Sequence, residues 1–167
     1  TMPYNLHLKT TIPTLCESGG APVSSPVVIT DDYDGDTRNA AKPDVGADEF
    51  NGLLKDITGP DIAYVLIGNT TDTANRSLPD FAAVTDTSGV DTASGTRPRI
   101  YYKKSDNVNS YTGNTSANNG WKWTEATDNS SPFSFTIDYS KIYGGSVSAG
   151  DTVQYFIVAQ DMAFTPN

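Results

Sequence analysis

The chain has 167 residues, 37% of them hydrophobic, with a formal net charge of −9 and a pI near 4.3. A chain this acidic repels phosphate backbones and anionic lipid, which argues against nucleic-acid binding and against direct membrane insertion or attachment. Thr, Ser, Asn, Asp, Gly and Pro are abundant, a mixture that favours short strands and many turns over helices, and the single cysteine, Cys16, excludes an intrachain disulfide.

From Thr1 to Ile29 the apolar pattern is irregular: Leu6 and Leu8 alternate, then Pro13, Gly19, Gly20, Pro22 and Pro26 interrupt. Such a segment cannot cover its own apolar side chains and is expected to pack on something. His7, the sole histidine, has no thiolate or second histidine at a useful spacing, so a surface or packing role is favoured over metal ligation or base catalysis. Cys16 reads as a small buried hydrophobe rather than a nucleophile.

Between Thr30 and Phe50 the alternation stops and seven acidic residues crowd together, which marks a boundary. Asp32, Asp34 and Asp36 alternate around Gly35 as D-Y-D-G-D, the way a helix-loop-helix calcium loop begins. Thr37 then replaces the sixth-position glycine, and Pro43 falls where a bidentate Glu belongs. Two readings stand. Asp32, Asp34 and Asp36 form an irregular Ca2+ site completed by Asp31, Asp44 or a carbonyl, or these carboxylates make Asx turns and one pairs with Arg38. Asp48 and Glu49 are adjacent, so on an extended chain they point to opposite faces and do not form an acid/base pair. Phe50 is the expected apolar anchor. Leu53 to Pro60 reads as a short linker, which divides the chain into 1–52, 53–60 and 61–167.

From Asp61 onward the signals are those of an antiparallel β-sandwich. Ile62, Tyr64 and Leu66 alternate in a first strand ended by Gly68 and Asn69. Leu78 to Thr85 follows, where Pro79 implies an edge or a bulge. Arg99 to Lys104 places Ile100 and Tyr102 on one face and Arg99, Tyr101 and Lys103 on the other. Ser105 to Gly120 is polar and of low complexity, the composition of a mobile loop. In WKWTE, Trp121 and Trp123 share a face. Phe133, Phe135 and Ile137 mark a half-buried strand. In DTVQYFIVAQD, Val153, Tyr155, Ile157 and Ala159 point inward, and Phe156 with Val158 on the reverse face suggests a central, covered strand.

Two stretches resemble known families. DYDGDTRN followed by PDVGADEF is similar to the signature that closes the right-handed parallel β-helix of large secreted bacterial surface proteins. NLHLKTTIPTLCESGGAPVSSPVVIT resembles the last irregular coils of the same family. GDTVQY with VAQD, and TDTSGVDT with RPRIYYKKS, resemble immunoglobulin-like and fibronectin-type modules of secreted bacterial proteins. The resemblances imply an all-β chain, an irregular β-rich closing segment before an immunoglobulin-like antiparallel β-sandwich. They also imply a secreted or cell-surface location, with neighbouring domains of the parent chain as partners and Thr1 and Asn167 as cuts through a longer polypeptide. One departure is that only MAFTPN follows Asp161, too little for a final strand.

No G-x-S-x-G, phosphate loop or cysteine metal cluster is present, and the one histidine lies outside the sandwich region, so the chain is expected not to be an enzyme. The leading expectation is a noncatalytic structural or adhesive module. Two alternatives remain. One is a carbohydrate-binding module that stacks glycans on Trp121 and Trp123; the other is a self-assembling subunit completed by strand addition from another chain. Sequons occur at Asn69, Asn75, Asn114 and Asn129, as expected by chance in a Thr/Asn-rich chain.

Overall fold

A computed structural model describes residues 7–167, so the position of Leu6 lies outside the described residues. The chain forms two compact units, one running to Ile57 and including Ala163–Thr165, the other Thr58–Met162 with Pro166–Asn167. The protein is all-β: among the described residues there is no α-helix, and none long and apolar enough to cross a membrane.

The first unit has no regular strand among its described residues. Proline and glycine interrupt it too often for a ladder, and backbone pairing is limited to isolated bridges, Thr14 with Leu54 in parallel and Asp31 with Thr37 antiparallel. Cys16 is only half-buried, not the fully buried residue expected. Phe50 is half-buried as well.

The second unit consists of two three-stranded antiparallel sheets. One holds β1 (Asp61–Tyr64), β2 (Arg76–Thr85) and β5 (Phe133–Ile137) in the order β1-β2-β5. The other holds β3 (Arg99–Lys104), β4 (Lys122–Glu125) and β6 (Val153–Val158) in the order β4-β3-β6. Alternation builds the core between them. Phe133, Phe135 and Ile137 of β5 are each at most 2% exposed, and Ile100 and Tyr102 of β3 are fully buried. Tyr102 Oη both donates to Asp138 O and accepts from Asp138 N, which satisfies a phenol whose pKa burial raises.

Two strand details, at β1 and β6, differ from the sequence expectation, and the edge-or-bulge alternative at Pro79 resolves to the bulge. β1 ends at Tyr64, and Val65 and Leu66 beyond it are largely exposed. β2 is central rather than an edge, and Pro79 is accommodated by the alternative device, a register shift between Leu78 and Ala82 with Asp80 at φ +46. β6 is an edge strand rather than a central one: among the described residues it pairs only with β3. The apolar reverse face that suggested a covered strand serves ring packing instead, since Phe156 stacks on Tyr101 at 5.1 Å and 4°.

The loop from Ser105 to Gly120 is tied down. Lys103, 2% exposed, donates from Nζ to the carbonyls of Lys104, Ser105 and Asn107, and Lys122, fully buried, donates to Gly113 O and Trp121 O. Trp121 N donates to Ser110 O, and Gly120 at φ +130 lets the backbones close: a Cβ there would collide with Ser110 O.

Candidate functional site

In the acidic stretch, carboxylates act first on the backbone. Asp32 Oδ1 accepts from the amides of Asp34, Gly35 and Asp36 at 3.1, 2.9 and 2.8 Å, and Oδ2 accepts from Glu49 N at 2.8 Å. These amides, that of Glu49 foremost, hold the Asp32 carboxyl at about 2, because hydrogen bonds to the ionised form favour it. Desolvation, and after it the neighbouring Asp32 charge, push Asp34 upward. Asp44 accepts from Ser18 N and Phe50 N, Glu49 from Asn39 N and Asp44 N, and Glu17 from Gly52 N. Arg38 donates to Gly46 O and Asp44 O and lies 3.6 Å from Glu49, so its carboxylate partner is Glu49.

This arrangement brings Asp32, Asp34 and Asp36 together, with one carboxylate oxygen from each within 4.8 Å of the others. His7, Asp34 and Asp48 form a second such group, with His7 Nδ1 3.1 Å from Asp48 Oδ1 and Nε2 3.6 Å from Asp34 Oδ2. A hard cation such as Ca2+ requires six to eight oxygens. At Asp32 it would have to share oxygens already committed to four amides.

In the sandwich unit, Trp121 and Trp123 serve different neighbourhoods. Trp121 stacks on Tyr111 at 6.3 Å, meets Phe156 edge-on at 4.8 Å and has Lys103 Nζ 5.2 Å from its centroid. Trp121 is half-buried, and its ring is engaged in the chain's own packing. Trp123 lies opposite Tyr101 in the β3–β4 ladder, with the Arg99 guanidinium 4.0 Å over its ring and Lys141 Nζ 6.0 Å from its centroid. Beside it runs an open groove of about 620 Å3 lined by Asn75, Arg99, Trp123, Glu125, Asp138 and Lys141 among others.

The elements place these groups for identifiable reasons. Arg99 and Glu125 are cross-strand partners and form an ion pair at 2.9 Å. Asp138 caps a single 3-10 turn, Tyr139–Lys141, and that turn projects Lys141. Asn114 Oδ1 accepts from Trp123 N and its Nδ2 donates to Trp123 O, so one amide side chain occupies the free edge of β4 as a neighbouring strand would. Sequence reasoning missed Asn114, Arg99 and Lys141. The ladder opposite WKWTE would have identified Arg99; nothing in the sequence pairs Asn114 with Trp123 or brings Lys141 to it.

No family model, curated protein or solved structure matches this chain.

Proposed function

We propose that the chain is a noncatalytic structural or adhesive module of a secreted or cell-surface protein. The observation that carries this reading is how the acidic side chains are used. Asp32, Asp44, Glu49 and Glu17 hold backbone amides up to 35 positions away, which is scaffolding in a segment with no ladder of its own. The motif resemblance supports a β-helix-closing role for this unit, and so does its apolar groove of about 520 Å3 bounded by Val23, Val28, Ile29 and Val45. In the second unit the order β1-β2-β5 against β4-β3-β6 corresponds to A-B-E against C′-C-F, which supports an immunoglobulin-like module. The test pairs a cooperative melt with a turnover screen. The chain should unfold cooperatively and release no sugars or peptides from polysaccharide or protein substrates. Reproducible turnover would refute the reading.

A second reading, self-association by strand addition, is favoured by one edge. β6 carries no charge and no proline, and among the described residues no strand pairs its outer side. An added strand would lie beside the Tyr64–Phe81–Tyr155 ring cluster. Sedimentation across a hundredfold concentration range tests it: concentration-dependent oligomers are expected, and a monomer throughout rejects it.

A further inference from the structure

The groove at Trp123 goes beyond the scaffold reading. Its charges balance: Arg99 and Lys141 against Glu125 and Asp138. On a chain of net charge −9 this is a locally neutral surface, so it selects neither a polyanion nor a cation. Its hydrogen-bonding capacity is mixed and partly unspent. Arg99 is committed to Glu125 Oε1 and to Gly95 O, whereas Glu125 Oε2 accepts no hydrogen bond among the described residues. Asn75 uses Oδ1 on Tyr139 N and keeps its amide N–H groups, and Lys141 Nζ makes one long bond, 3.5 Å, to Trp123 O. An aromatic surface next to closely spaced donors and acceptors suits a molecule with an apolar C–H face and a rim of hydroxyls.

We propose that this groove binds a neutral saccharide, one pyranose ring lying against the part of the half-buried Trp123 indole that the Arg99 guanidinium does not cover and its hydroxyls shared among Glu125, Lys141 and Asn75. The volume accommodates a short oligosaccharide segment. Trp121 is not part of the site, because it does not line this groove and its ring packs with Tyr111, Phe156 and Lys103.

Affinity electrophoresis of the whole chain through gels containing galactomannan, xyloglucan, dextran or polygalacturonate tests the proposal. Retardation by at least one neutral polysaccharide is expected. Trp123→Ala should weaken it about tenfold or more, the scale of one lost ring contact. Lys141→Met, at a half-buried groove wall where the ammonium makes one long bond to Trp123 O, should weaken it by roughly fivefold, as for one hydrogen bond, with its melting temperature compared with the parent's. If Trp123→Ala fails to fold, Lys141→Met decides alone. The proposal is overturned by no retardation in any neutral gel, by retardation only with polygalacturonate, by full retention in Lys141→Met, or by dependence on Trp121 and not Trp123. None of these results bears on the scaffold reading, which rests on stability and turnover.

Discussion

Lys103 Nζ lies 5.2 Å from the centroid of the Trp121 ring, while the same ammonium donates to three carbonyls of the loop that follows. One buried cation therefore holds both the indole and the start of a sixteen-residue polar segment. Lys103→Met removes the donor and leaves carbonyls without a partner, at a cost of about 1–3 kcal/mol. Urea unfolding should show that loss, and limited proteolysis should cut faster between Ser105 and Gly120. Equal stability and equal cleavage would mean that the loop holds itself.

Asp32 gives a pH dependence of definite sign. Its folded pKa of about 2 lies below the ordinary 3.8, so the stabilisation is fully present above about pH 4 and is lost as pH falls toward 2. Asp91 and Asp151, also lowered, chiefly by the amides of Ala93 and Ser148, lose stabilisation in the same direction. Asp34 works the other way, since its raised pKa relieves a penalty on protonation. Asp32→Asn should melt at a lower temperature than the parent at pH 7, with the gap narrowing toward pH 2. A gap that stays constant over that range would detach the hub from proton binding.

Calcium makes a separate readout. With Asp32 committed to four amides, the melting temperature at pH 7 should be the same in millimolar Ca2+ as in chelator. A rise of several degrees with Ca2+ would assign the Asp32, Asp34 and Asp36 group a metal.

Phe135 is 1% exposed at the centre of β5, and its ring meets Phe81 edge-on at 6.5 Å. Phe135→Ala should cost about 3–5 kcal/mol by cavity formation. Phe50→Ala, at a half-buried ring in the other unit, should cost less. Differential scanning calorimetry of both variants checks the ranking, and a reversed order would refute this account of the core.

Asn114→Ala uncovers the β4 edge. It removes both hydrogen bonds to the Trp123 backbone, a loss of about 1–2 kcal/mol, and leaves an open strand edge. Slower folding alone would not meet this expectation: the melting point should fall, and light scattering on heating should begin earlier than in the parent.

Much of the sandwich was legible because period-two alternation is a local signal. Arg99–Lys104 and Phe133–Ile137 follow directly from it. β6 was misplaced because an apolar outer face has two causes, cover by another layer or aromatic packing within one sheet, and periodicity does not separate them. The loop at Ser105–Gly120 was misread because lysines are ordinarily exposed; Lys103 and Lys122 are instead buried and gather its carbonyls from four and nine positions away, which the polar composition does not encode. Asx turning at Asp32 was foreseen, whereas the reach of Asp32 to Glu49 was not.

The amide of Asn114 has one more implication, for the choice of expression host. Its N-T-S context is an acceptor for oligosaccharyltransferase, yet its Nδ2 is the atom that donates to Trp123 O. In yeast or insect secretory pathways a glycan attached before folding would place a bulky substituent on the atom that must close against β4. Bacterial cytoplasm or a Ser116→Ala variant, which removes the sequon and keeps the Asn114 amide, avoids that conflict, while the exposed Asn69 and Asn129 would tolerate the same modification.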